Sequence, residues 1–172
     1  RDFPALDLED PDAPGAAVLR ARAEACEGAA LAVAGVTNSE GAGASWGRTR
    51  VALATSLGFA GEYAGTSQSV SVSVLAGEGT GMERDDDFLS ARHGADLGDP
   101  EAAGRNAAMK ALKRLNPRKA ETAAVPIVYD PQVASSLVGH FASAINGASI
   151  SRGVSFLKDK MGERVFGPGI QI

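Results

Sequence analysis

Hydrophobic positions follow a helical period in three stretches of the chain. Apolar residues recur every three to four positions over residues 14–28, 99–116 and 130–146, which predicts three amphipathic helices. The second and third stretches each begin with an Asp-Pro pair. Aspartate caps the free backbone N–H groups of a helix start, and proline suits the first turn. The starts of these two helices are therefore predicted most sharply.

Between the first two helices the hydrophobic period shortens to two. Residues 69–74 alternate strictly between serine and valine, which predicts a strand with one buried and one solvated face. Further strands are predicted at 30–37, 46–56, 59–63 and 124–129, turns at 38–41 and 57–58, an irregular polar segment at 77–98, and a short helix near 156–161. Short breaks between strands favour hairpins. The pattern predicts an α+β fold in which helices pack on an antiparallel meander of three or four strands.

Composition and charge narrow the classes of protein to consider. The 172 residues fit one domain or slightly more, and include one cysteine, so an internal disulfide framework is excluded and a reducing, cytoplasmic setting is expected. No apolar run is long enough for a membrane span. The net charge is −4, and the excess of acidic residues lies before residue 28. Residues 1–12 are predicted to be a linker, and the lack of a basic block disfavours direct nucleic-acid binding.

Several residues invite a chemical role, and each has a simpler structural explanation. Cys26 is interpreted as a small buried residue, with a reactive thiol as the alternative. The acidic run Asp85-Asp86-Asp87 suggests cation binding, but it lacks the spacing of a calcium loop and is interpreted as a solvated strand end or loop. His93, beside Arg92, is interpreted as a surface residue, with a catalytic base as the alternative. The glycines of 41–43 and 77–81 match no phosphate-binding motif and are interpreted as turns or strand positions.

Three stretches resemble the TldD/PmbA family, and specifically its PmbA (TldE) branch. They are Gly35–Gly43, Ala54–Val74 and Val125–Lys160, the last being the most specific. Leu57 departs from the asparagine that many relatives carry there. On the family pattern, residues 13–119 resemble a middle domain and residues 120–172 the N-terminal portion of a β-rich C-terminal domain. The resemblance therefore implies that the chain is a fragment of a longer protein.

The family resemblance implies a link to peptide hydrolysis. The TldD branch carries a His-Glu-x-x-x-His zinc motif on the helix that corresponds to residues 131–145. Ser135, Ser136 and His140 stand at its three defined positions in this chain, so no catalytic residue, metal ligand or cofactor is expected here. Zinc is expected in a TldD-like partner, with unstructured peptides as substrates of the heterodimer. A non-proteolytic scaffold acting on DNA gyrase or a toxin-antitoxin system is the alternative.

Two other possibilities remain open from the sequence. Ser136 and His140 are four residues apart and share one helix face, which is compatible with a Ser–His dyad, although no acidic residue stands nearby to orient the imidazole. Metal bound by residues of the C-terminal region of a longer protein is the other open possibility.

Overall fold

The computed structural model describes residues 6–170, so residues 1–5 of the predicted linker and residues 171–172 lie outside the described part. The helices and strands, in chain order, are α1 (Ala16–Leu31), β1 (Val36–Ala54), β2 (Ala60–Ala76), β3 (Glu83–Ala91), α2 (Pro100–Arg114), α3 (Pro131–Ala144) and α4 (Gly147–Ser151). The chain divides into two compact units between Lys119 and Ala120. No helix within residues 6–170 is long and apolar enough to cross a membrane.

The first unit contains an antiparallel sheet with the strand order β1-β2-β3. The β1–β2 connection is a tight turn in which the Thr55 N–H donates to Phe59 O over 2.9 Å and the Gly58 N–H donates to Thr55 O over 3.1 Å. Gly58 has a φ of 84°, a conformation that glycine adopts without strain. The predicted α+β meander is confirmed, with three strands in the described residues.

The core of the first unit is built from small side chains. Val70, Val72 and Val74 of β2 are at most 2% exposed, and the serines between them stay accessible, as the alternation predicted. The buried cluster joins β2 to α1 and α2, and consists of Cys26, Ala30, Val70, Val72, Val74, Ala76, Ala103, Ala107 and Ala111. Alanine contributes little bulk, so α1 and α2 must lie close to the sheet and to each other for this core to be dense.

The two helices lie in tight contact at Gly104 of α2. A Cβ atom at this position would lie 2.0 Å from the carbonyl oxygen of Cys26 and 3.1 Å from the backbone nitrogen of Ala30. Both atoms belong to the backbone of α1, which cannot rotate away as a side chain can. Glycine in a helix interior normally costs stability, and here the contact between the helices requires it.

Three predictions around β1 are wrong. Helix α1 continues past Gly28 to Leu31, because Ala30 is buried in the core and favours the helix. The predicted strand at 30–37 therefore begins only at Val36. Residues 38–41 lie inside β1 rather than in a turn. The β1–β2 register is irregular just before Asn38 and just before Gly41. Bulges of this kind often place a glycine with positive φ in the strand, and Gly41 has a φ of 114°.

The segment predicted as irregular, 77–98, contains β3. Its acidic residues alternate along the strand, so Glu83, Asp85 and Asp87 are less exposed than the residues between them. Lys110 Nζ of α2 lies 2.7 Å from Asp87 Oδ1, and Arg114 Nη1 lies 3.2 Å from Asp85 Oδ2. The interpretation of the acidic run as solvated is therefore wrong for Asp87, which is buried beside α2.

The second unit is helical, with long irregular connections. Asp130 accepts a hydrogen bond from the Gln132 N–H and Pro131 occupies the first turn of α3, as predicted. The strand predicted at 124–129 is absent, as is the short helix at 156–161. The segment 124–129 is exposed throughout, and an isolated strand has no hydrogen-bonding partner to hold it. Ser155 Oγ donates to Ala144 O over 2.6 Å and ties the segment after α4 to α3.

Candidate functional site

Helix α3 carries the residues that the sequence singled out. Because the Asp130 cap sets the start of the helix, Ser135 and Ser136 lie in its second turn and His140 lies one turn further on. All three residues are exposed. The structure therefore places the three positions along one accessible helix, as the spacing predicted.

The serine hydroxyls bond to the helix itself. Ser136 Oγ donates to Val133 O over 2.6 Å, and Ser135 Oγ donates to Gln132 O over 3.2 Å. A hydroxyl has one proton, so the Ser136 proton is not directed at the imidazole of His140. No acidic side chain among the described residues forms an ion pair with His140 to orient it. The arrangement lacks the contacts that activate a serine nucleophile.

The same residues do not fit a catalytic zinc ion. Such a site uses three protein ligands drawn from imidazole, thiolate and carboxylate groups, and a general base that takes the proton of the bound water. Here two of the three positions, Ser135 and Ser136, carry neutral hydroxyls whose protons are donated to backbone carbonyls. Within residues 6–170 there is no group of three or more His, Cys, Asp or Glu side chains that could hold a metal ion.

Family models cover most of the chain. The model of the PmbA/TldA metallopeptidase central domain matches residues 9–115, and that of the PmbA/TldA metallopeptidase C-terminal domain matches residues 122–172. The chain belongs to the PmbA/TldD family. These two matched ranges fall on either side of the boundary between the two compact units.

Individual relatives agree with the PmbA/TldD assignment. The chain is 36% identical over 167 residues to "Metalloprotease PmbA" of Escherichia coli O157:H7, and 34% identical over 168 residues to "Metalloprotease PmbA homolog" of Haemophilus influenzae. Both matches include 95% of this chain but only 37% of the relative. The chain thus spans a little over a third of the length of the curated relatives it matches.

Solved structures share the PmbA/TldD fold. A proposed modulator of DNA gyrase from Bacteroides thetaiotaomicron superposes with a TM-score of 0.89 at 25% identity, over 96% of this chain and 38% of that chain. A second protein of the same description, from Thermotoga maritima, gives a TM-score of 0.87 at 17% identity, over 98% of this chain and 39% of that chain. At 17% identity the likeness concerns the fold alone.

The remaining candidates of this PmbA/TldD-family chain lie in its first unit. Cys26 is fully buried, and burial, followed by the negative charge of Asp87, raises the pKa of its thiol, which disfavours the reactive thiolate. His93 Nε2 lies 3.4 Å from Asp7 Oδ1, and its side chain is about a quarter exposed, at 24%. The glycines of 77–81 lie in the connection between β2 and β3, and those of 41–43 lie in β1.

Sequence reasoning missed a buried polar network around Asp10. Asp10 Oδ2 accepts the Gly94 N–H over 2.6 Å and a Gln68 Nε2 proton over 3.0 Å. The Asp10 N–H donates to Thr66 Oγ1 over 2.8 Å, and Arg22 Nη1 donates to Gln68 Oε1 over 2.7 Å. The segment predicted as a linker thus contacts β2 and the loop after β3. No sequence signal links Asp10 to its direct partners Thr66, Gln68 and Gly94, because these residues are 56 to 84 positions away from it.

The Asp10 network predicts a loss of stability in acid. Two backbone hydrogen bonds lower the pKa of the Asp10 carboxyl, the larger effect coming from the Gly94 N–H and the smaller from the Asp12 N–H. Both bonds favour the charged form of the carboxyl. A pKa lowered by folding adds stability that is complete above the unfolded pKa of about 4 and disappears as the pH falls through the folded pKa. We expect the difference in unfolding free energy between the wild type and Asp10→Asn to shrink below pH of about 4.

Urea denaturation between neutral pH and pH of about 3 measures this difference. Asp12→Asn serves as the control, since Asp12 joins the network through its backbone N–H and not through its carboxylate, and an exposed substitution of this kind should change the unfolding free energy by about 0.5 kcal/mol or less. A difference in unfolding free energy between the wild type and Asp10→Asn that stayed constant at every pH would contradict the prediction.

Proposed function

We propose that this chain belongs to a non-catalytic, PmbA-type subunit of a zinc metallopeptidase complex that processes unstructured peptides in the cytoplasm. The observation that carries the proposal is the identity and hydrogen bonding of two serines in α3. Where a TldD-type subunit would present His and Glu, this chain presents Ser135 and Ser136, whose hydroxyls bond to their own helix. A TldD-like partner would supply the zinc ion and the general base.

Hydroxyl groups cannot replace the missing chemistry. A catalytic zinc ion lowers the pKa of its bound water and needs three firm ligands to hold it with one position open. Neutral serine is a poor ligand, and His140 alone supplies one imidazole. The names of the relatives from Escherichia coli and Haemophilus influenzae include "Metalloprotease", which supports a place in a peptidase system. The proposal assigns the hydrolytic step to the partner.

Zinc content and peptidase activity test the proposal. The protein is purified alone and after co-expression with a TldD-type protein from the same genome. We expect no stoichiometric zinc and no hydrolysis of an unfolded casein substrate by the protein alone, and both in the co-purified complex. Ser136→Ala and His140→Ala in this chain should leave the activity of the complex unchanged. Stoichiometric zinc in the protein alone, or activity abolished by Ser136→Ala, would overturn the proposal.

A second function is favoured by the structural comparison. The solved structure from Bacteroides thetaiotaomicron is described as a proposed modulator of DNA gyrase, so a non-proteolytic scaffold that binds gyrase is the alternative. Such a role would rest on protein contact rather than DNA contact, because the net charge of −4 and the lack of a basic block along the sequence disfavour direct nucleic-acid binding. Co-purification separates the two functions: recovery of gyrase subunits without any TldD-like protein would favour the scaffold.

A further inference from the structure

The β1–β2 hairpin extends well beyond the third strand. β3 pairs with β2 only from Gln68 to Ala76, whereas β1 pairs with β2 along both strands as far as the turn. Residues 47–67 therefore form a two-stranded arm. No residue of the arm is buried except Thr66 near its base. Its outer part exposes large apolar side chains, namely Leu53, Leu57, Phe59 and Tyr63.

A two-stranded arm of this kind is weakly stable by itself. An isolated hairpin is marginal in water, and independent stability needs a third strand or a packed helix. Helices α1 and α2 cover β2 only from Val70 to Ala76. This part of β2 follows the arm, so the helices do not cover the arm itself. The order of the arm must therefore come from contacts made at the base itself.

The segment before α1 supplies those contacts. We name residues 7–12 the strap. Leu8 O accepts the Thr66 N–H over 2.9 Å, two residues beyond the point where β3 stops pairing. The Asp10 N–H donates to Thr66 Oγ1 over 2.8 Å, and Glu9 forms an ion pair with Arg48 of β1. The strap thus occupies the place of a third strand where β3 is missing, and it contacts both strands of the arm.

Asp10 fixes the strap to the rest of the first unit. Its carboxylate accepts hydrogen bonds from the Gly94 N–H and from Gln68. These residues belong to the loop after β3 and to the last paired position of β2. Asp10 is 9% exposed, so its bonds are shielded from water and are stronger than surface bonds. The Asp10 carboxylate is therefore the buried attachment of the strap to the rest of the first unit, whereas the Asp7–His93 ion pair involves an exposed Asp7 side chain.

We propose that the strap is a conformational brace: its attachment through Asp10 keeps the arm ordered, and its release loosens the arm without opening the helix-covered core. The core depends on the valines of β2 and the alanines of α1 and α2, none of which contacts the strap through a hydrogen bond. Stability in proteins is local, and elements with few buried contacts open independently of the core. Displacement of the strap is thereby coupled to the order of an arm that exposes apolar side chains.

Amide hydrogen exchange of the whole chain tests the brace. Asp10→Ala removes the carboxylate that holds the strap, and we expect exchange within residues 47–67 to accelerate about tenfold, as for the loss of one or two buried hydrogen bonds. Exchange of residues 70–76 should stay unchanged. Asp12→Ala is the matched control, since it removes a nearby carboxylate without hydrogen bonds or ion pairs to the described residues, and it should accelerate neither segment.

Thr66→Val gives a second, shape-conserving variant. It removes the hydroxyl that accepts the Asp10 N–H and donates to Arg92 O, and it leaves the bond from the Thr66 N–H to Leu8 O in place. An acceleration smaller than that of Asp10→Ala and confined to the arm is expected. Equal acceleration in the arm and in residues 70–76 would show that Asp10 only supports global stability, and would overturn the brace. Unchanged exchange in the arm of both variants would overturn it as well.

Discussion

Gly104→Ala is expected to lower the free energy of unfolding by about 2–3 kcal/mol, a typical cost of forcing extra volume into a packed interior. The new Cβ would lie 2.0 Å from Cys26 O, so α1 and α2 must move apart. Their separation opens gaps around Ala30 and Ala107, which are both fully buried. The loss arises although alanine is the better helix former by about 1 kcal/mol.

Gly28→Ala is the matched control for this experiment. Gly28 lies in α1, and nothing stands within 4 Å of the position its Cβ would take, so alanine should stabilise the protein by about 0.5–1 kcal/mol. Denaturant unfolding followed by the fluorescence of Trp46, the single tryptophan of the chain, reports on the unit that contains both sites. If Gly104→Ala raised stability as Gly28→Ala does, the close helix contact would be refuted.

Lys110→Ala is expected to cost about 2–3 kcal/mol, somewhat less than the roughly 3–5 kcal/mol lost when a fully buried ion pair is broken. Asp87 is 6% exposed and Lys110 Nζ lies 2.7 Å from its Oδ1, so the substitution leaves a buried carboxylate without its nearest cation. The lysine side chain is 31% exposed, and water that reaches it reduces the loss below that of a fully buried pair.

Arg105→Ala in the same helix separates this effect from helix propensity. Arg105 pairs with Asp99 and Glu101, but all three side chains are about half exposed, and surface pairs contribute about 1 kcal/mol or less. Both variants place alanine in α2, so the gain in propensity is similar. Denaturant unfolding of the two proteins should differ by more than about 1 kcal/mol. Equal losses would mean that the Asp87–Lys110 pair behaves as a surface contact.

Local signals in the sequence predicted the helices and the central strand well. The Asp-Pro pairs at 99–100 and 130–131 each cap a helix in the structure, because capping involves only neighbouring backbone groups. The alternation of 69–74 predicted β2 and its buried face, because successive side chains of a strand point to opposite faces of the sheet. The placement of Ser135, Ser136 and His140 on one helix was also predicted, because the Asp-Pro pair at 130–131 sets the start of that helix.

The predictions that were wrong concern segments whose structure depends on a partner distant in sequence. Residues 38–41 have a turn-like composition but continue β1, because β2 supplies hydrogen bonds that tolerate the bulges. The strand-like segment 124–129 has no partner strand and is irregular. The acidic run of β3 pairs with cations of α2 that are more than 20 positions away. Strand pairing and ion pairing depend on closing long loops, which a local pattern does not record.

The sequence by itself determined the class of fold, the starts of α2 and α3, the buried valine face and the family, since each depends on residue spacing or on motifs read along the chain. The hydroxyls of Ser135 and Ser136 turn back onto their own helix, which is a local contact too, but it depends on a rotamer choice that the spacing of residues does not specify. Tertiary structure alone decided that Gly104 lies against the backbone of α1 and that Asp10 anchors the strap, because both results depend on which distant backbones meet.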